Sequence, residues 1–319
     1  MLNYQELLGL YPWIVERDHD CILSPDSDGL LCGLFMSHYL GWHIRGYYDG
    51  NVLLHDDGVD PKKCVFLDME IYRHGVQSVG QHLLLFDKKN VHSGWSNFDE
   101  CISANGLRQF DYKHDFSVKY PFGTIHLLLA LVGQILQVVI PKSAVCPLLY
   151  TDGTFKNQFN YPENCIDWLQ FLGAEQEHNP LQKIFLDRNY STYELMVELK
   201  DFFEEIKNIG GGKRGGDKIK ISNSKGVSSQ VDIFGRKIHP QAVSQAKRFL
   251  SFLSQKTGWD FRQERWRWDR MNVVQFESGN MKPGKARFND LLEKKPLSFA
   301  ITSGINVSFT LDPDRAFGR

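Results

Sequence analysis

The segment Cys21-Ile22-Leu23-Ser24-Pro25-Asp26-Ser27-Asp28-Gly29-Leu30 gathers the residue types that do chemistry. A short apolar run stops at Pro25 and delivers two carboxylates, separated by a single serine. Gly29 then lets the backbone turn tightly into a helix. Carboxylates held this close repel each other, and a divalent cation relieves the repulsion through oxygen ligands of the kind Mg2+ and Mn2+ prefer. A second apolar run, Cys64-Val65-Phe66-Leu67, ends in the same way on Asp68, with Glu70 two residues on. Ligands of open α/β sheets sit beyond the carboxyl ends of strands. The pattern therefore predicts a Mn2+ or Mg2+ site at Asp26, Asp28 and Asp68. A polar turn that caps a helix accounts for Asp26 and Asp28 without any metal.

These residues need elements to position them. Short apolar runs alternate with helical periodicity from Cys21 onward. Strands are expected at Cys21–Ser24, His43–Tyr48, Cys64–Leu67 and Val79–Leu85, with helices at Leu30–Leu40 and Thr124–Val139. Asp49-Gly50 reads as a turn. Strands that are apolar throughout and interleaved with helices predict an α/β fold with a mainly parallel sheet in the N-terminal domain. Beyond Pro141, helices are expected at Tyr161–Leu172, Ser191–Ile209 and Gln241–Gln255, the second with Ser191 as its N-cap and Glu194 three residues on. Strands are expected at Asn272–Glu277 and Leu297–Leu311. The resulting division is a metal-binding domain over 1–145, a helical connector over 146–209 and a smaller α+β domain over 210–319 that binds substrate or a partner.

Composition narrows the classes. With 319 residues, 42% hydrophobic and 24% charged, the chain is globular rather than disordered. A net charge of −1 means that affinity for nucleic acid must be local. The start of the chain lacks a basic, signal-like segment, and the apolar run Ile125–Ile140 is broken by His126, Gly133, Gln134 and Gln137, so neither secretion nor a membrane role is expected. Six scattered cysteines without a CxxC pair suit reduced, buried thiols and a cytoplasmic location.

The order strand, Pro25-Asp26-Ser27-Asp28, helix, then a strand ending on Asp68, then Gly80-Gln81-His82, resembles the DHH phosphoesterase superfamily. That superfamily includes RecJ-like exonucleases, oligonucleotide and cyclic-dinucleotide phosphodiesterases, and manganese pyrophosphatases. The likeness covers roughly residues 20–140 and implies a two-metal site that activates water for attack on phosphorus. It implies Asp26, Asp28, Asp68 and His82 as metal ligands, Asp28, Asp68 and His82 as catalytic residues, and a nucleic acid, oligonucleotide or nucleotide as substrate. Asp99 or Asp111 would fill the fourth motif. The chain departs from the pattern at Ile22, where the family has a histidine, and keeps only the last residue of the Asp-His-His motif. His19, His74, His92 and His126 are the candidates to replace what is missing. The departures also fit a second expectation, a non-catalytic module that docks nucleic acid or a protein partner. Asp-x-Asp-Gly is shared with the haloacid-dehalogenase phosphatases, but Leu30 and Pro25 suit that family less well.

In the C-terminal half, Gly210–Gly216 encloses Lys213 and Arg214, and the stretch from Lys213 to Lys225 is the most basic in the chain. Lys213, Arg214 and Lys218 are the expected substrate-binding cations, on a loop that otherwise reads as a linker. Trp259–Trp268 interleaves aromatics with arginines, a pattern that suits stacking on bases and suits packing on the core somewhat better. Tyr150-Thr151-Asp152-Gly153-Thr154 reads as a turn.

Overall fold

A computed structural model describes residues 1–212, 215–223, 226, 229–312 and 317. Asp20–Leu23 forms β1, His43–Tyr48 β2, Val52–Asp56 β3, Val65–Leu67 β4, Ser78–Gly80 β5 and Cys101–Ser103 β6. Later in the chain come the short strands β7 (Val231–Asp232) and β8 (Lys237–Ile238), then β9 (Met271–Gln275). The last three are β10 (Glu277–Met281), β11 (Ser298–Ser303) and β12 (Asn306–Leu311). A seven-stranded sheet runs in the order β6-β5-β4-β1-β2-β3-β9. Its strands are parallel from β6 to β2, while β3 is reversed and pairs antiparallel with both β2 and β9. The α/β architecture with a mainly parallel sheet is thus present, with smaller antiparallel sheets in the C-terminal region.

Alternation along each strand explains why the sheet is covered on both faces. Cys21 and Leu23 of β1, with Val65 and Leu67 of β4, enter the core beneath the helices Ser27–Leu40 and Thr124–Val132. Ile22 and Phe66 point the other way, into a cluster with Tyr48, Phe276 and Phe317. Because both faces are buried, the strands read as continuous apolar runs. The helix Ser27–Leu40 is buried nearly all round rather than on one side, which its apolar composition permits. All six cysteines are free and buried.

Two expected elements come out shorter. The helix from Thr124 ends at Val132, where Gly133 lies against the Pro180 ring, and a hydrogen-bonded turn through Leu136 follows before the chain leaves helical structure. Leu136, Val138 and Ile140 pack on the core while Ile135 and Val139 are exposed, a period of two hidden inside an apolar run. The strand expected to reach Leu85 stops at Gly80. Beyond it the Asn105 side chain donates to the carbonyls of Gln81 and Leu83 at 2.9 and 3.1 Å, taking acceptors that a neighbouring strand would have used. The apolar stretches 272–277 and 297–311 each resolve into two strands. Phe276 is the pivot between β9 in the large sheet and β10 in the three-stranded sheet β10-β12-β11.

Candidate metal centre

Topology places the site. From β1 the chain passes through the helix Ser27–Leu40 to β2 on one side, whereas β4 lies on the other side of β1. The order reverses between β1 and β4, and such a switch point leaves a crevice at the carboxyl ends of the strands. Both strand ends at this crevice carry aspartates: Asp26 and Asp28 follow β1, and Asp68 follows β4. Gly29 is required because a Cβ there would collide with the Ser24 carbonyl. Asp68 takes a left-handed backbone, φ 62°, which aspartate tolerates better than most residues and which stores strain at the strand end.

Asp68, His82 and Asp152 each offer one ligand atom, all within 4.8 Å of one another. The His82 Nδ1 is buried without a hydrogen bond, 4.0 Å from Asp68 Oδ1 and 3.7 Å from Glu70 Oε2, while its ring opens onto the cleft. Glu70 is fixed by the Leu83 N–H at 2.9 Å. Asp152 accepts a hydrogen bond from the Gln81 side chain. Asp26 caps its helix through the Gly29 N–H at 3.2 Å and lines the same cleft.

Asp28 stands one layer behind. It is fully buried, and its oxygens accept the Thr124 and Ile125 N–H groups at 2.5 and 3.1 Å, so it clamps the start of the helix Thr124–Val132. Gly123 makes room for it, since a Cβ there would lie 2.8 Å from Asp28 Oδ1. Thr124 also donates its hydroxyl to Asp68 Oδ1 at 2.7 Å. Asp28 was expected as a ligand. Here its oxygens are engaged by amides, and it adds charge and holds Thr124 in place.

The electrostatics are of the kind that a cation would relieve. Burial pushes the Asp68 and Asp28 carboxyls well above the usual range. Neighbouring carboxylates push them further, Asp26 and Asp152 on Asp68, and Asp68 and Asp152 on Asp28. Burial alone would lower His82, but Glu70, then Asp152 and Asp26, outweigh it and raise its pKa to about 9. Oxygen donors with one imidazole match the preferences of Mn2+, and Mg2+ accepts the oxygens. A second cluster, Asp87, Asp111 and His114, is already engaged by its own surroundings: Lys113 pairs with Asp87 at 3.1 Å, and Asp111 accepts the His114 backbone N–H at 2.7 Å.

The cleft also has a basic part. Ile219 and Ile221 anchor in the core, so Lys218 and Lys220, which alternate with them, are exposed and line the cleft with Asp26, Asp68 and His82. The Ile219 N–H donates to the Pro25 carbonyl at 2.8 Å, fastening this loop beside the aspartates. The cleft encloses about 680 Å³. Lys213 and Arg214 lie outside the described residues.

The other candidates are used elsewhere. His19 pairs with Glu16, His74 with Asp99, and His92 caps a 3-10 turn. His126 sits between Phe122 and Phe185, where burial lowers its pKa to about 4. Asp111 belongs to the second cluster. The Trp259–Trp268 segment packs: Trp259, Trp266 and Trp268 are buried, Arg265 bonds the Ser37 carbonyl, and Arg267 bonds Asp56. Sequence reasoning missed Asp152, whose Asp-Gly-Thr motif is indeed a turn, with φ 49°, but a turn that enters the site. Comparison with protein-family models, curated proteins and solved structures gives no match to this chain.

Proposed function

We propose that the chain is a divalent-metal phosphoesterase acting on a nucleic acid, oligonucleotide or nucleotide, with Mn2+ or Mg2+ as its cofactor. One observation carries the reading: Asp26, Asp68 and His82 line a single cleft at the switch point together with Lys218 and Lys220. That arrangement suits a cation and a phosphate side by side. Asp68, His82 and Asp152 would hold the cation. Asp26 adds charge at the mouth, and Lys218 and Lys220 draw the anionic ester in. A cation held there would polarise a phosphoryl oxygen and acidify a water. The likeness to the DHH phosphoesterases, carried by Asp26, Asp28, Asp68 and His82, points the same way. Six unpaired buried thiols suit a cytoplasmic setting. Among the described residues no helix is long and apolar enough to cross a membrane. The test is Mn2+ titration together with hydrolysis of bis(p-nitrophenyl) phosphate. Turnover that needs Mn2+ and is abolished in Asp68→Asn is expected. Turnover that is absent, or unchanged by that substitution, would overturn the reading.

A further inference from the structure

The cleft does not end at the aspartates. A trough of about 600 Å³ continues from it and shares Asp49, Met69, Asn223 and Ala300 with it. Its floor is one face of the three-stranded sheet. The register sets Ser278, Thr310 and Ser298 in one cross-strand row, and Asn280, Ser308 and Ala300 in the next. The intervening residues Phe309, Phe299, Val307 and Ile301 occupy the other face, packed with Phe288 and Leu291. Period two thus separates an apolar underside from an upper face of small hydroxyl, amide and methyl groups.

The charge pattern along the combined channel is uneven. Lys218, Lys220 and the acidic cluster crowd one end. In the trough, Asp49 is the one charged residue among the described residues that line it. It is already committed to Ser222 Oγ at 2.6 Å and to the Asn51 and Val52 N–H groups at 2.9 Å. Asn280 and Ser308 are joined by a 2.7 Å hydrogen bond. The Asn280 carbonyl accepts that bond and a second from the Asn306 amide at 3.2 Å, while its own N–H groups remain to donate. Among the described residues this lining offers hydrogen bonds and one committed carboxylate, which suits an uncharged polar group better than a second phosphate.

Resting on the phosphoesterase reading, we propose that this trough is the second half of the site and holds the uncharged, hydroxyl-bearing group esterified to the phosphate. A nucleoside and a sugar share that chemistry. Thymidine 5′-monophosphate and glucose 1-phosphate distinguish them, and inorganic phosphate reports the metal end alone. With Mn2+ present, at least one of the two esters should bind the full chain about tenfold more tightly than phosphate. The double variant Asn280→Ala, Ser308→Val, at solvent-facing positions, should remove that advantage while leaving the affinities for Mn2+ and phosphate unchanged. Equal binding of phosphate and both esters would overturn the proposal, as would an advantage that survives the double variant. Failure to bind Mn2+ and phosphate at all would overturn the metal reading itself, and this inference with it.

Discussion

The Tyr150 hydroxyl donates to the Asp217 carboxylate at 2.8 Å, and this bond ties the turn that carries Asp152 to the loop that carries Lys218. The acidic and basic parts of the cleft are therefore coupled through this pair of side chains as well as through the Ile219–Pro25 backbone bond. Tyr150→Phe keeps the ring packed against Phe202 and Phe203 while removing the tie. Phosphate affinity should fall by about threefold, the loss of one half-exposed hydrogen bond, with Mn2+ affinity unchanged. Calorimetric titration of each ligand checks this, and a fall in Mn2+ affinity alone would refute it.

Asp68 and Asp28 look alike in the sequence and do different work. Asp68→Asn should weaken Mn2+ binding by about tenfold or more, while the metal-free protein melts no lower, because a repelling charge has gone. Asp28→Asn keeps one acceptor for the two amides at 124 and 125 and loses the other. It should cost about 1 to 2 kcal/mol of stability, as a lost helix cap does, and should weaken Mn2+ less than the change at Asp68. Chemical unfolding and metal titration on both variants settle the order.

The strand ends were legible in the sequence because a strand is set by local pattern and proline. Pro25 stops β1, and Asp68 closes a run too apolar to be anything but buried. His82 was legible through the resemblance, as the last residue of Gly80-Gln81-His82 and just ahead of the apolar run Leu83–Phe86. Asp152 was not, because its partners lie 70 and 84 residues away in the sequence and its own surroundings are those of any Asp-Gly turn. The difference between Asp28 and Asp68 was equally hidden. It depends on the helix that begins at Thr124, whose N–H groups reach Asp28 across a tertiary contact that no local spacing encodes. The tryptophan-arginine segment was legible as packing, since acids are interleaved with its arginines along the sequence, though the particular bond from Arg267 to Asp56 was not.

At the far end of the sheet, Asp56 accepts Arg267 Nε at 2.8 Å, Arg45 at 3.2 Å and the Gly58 N–H at 3.0 Å. Burial opposes its charge, but the Gly58 amide and then the two arginines overcome that and hold its carboxyl below the usual value. A depressed folded pKa contributes stability that is present above the unfolded value and lost as pH falls through the folded one. Asp56→Ala should therefore cost about 3 kcal/mol at neutral pH, and less below about pH 4, where the unfolded carboxylate is protonated. Urea denaturation across that range reads the convergence, and a cost independent of pH would show that the arginines do not depend on its charge.

The candidate metal centre has the opposite sign. The Asp68 and Asp28 carboxyls are raised in the folded protein, and His82 is raised to about 9. A raised folded pKa contributes stability that is full below the unfolded value and lost as pH rises through the folded one. Without metal, the carboxyls should begin to cost stability above about pH 4, and the histidine should lose its contribution between about pH 6.5 and pH 9. A cation displaces those protons, so binding should release them and strengthen with pH. The rise in melting temperature on adding Mn2+ should therefore be larger at pH 8 than at pH 6. The heat of binding should also vary with the ionisation enthalpy of the buffer. Asp68→Asn should flatten both dependences. A Mn2+ effect that is the same at both pH values, in protein known to bind the ion, would place the cation away from Asp68 and His82.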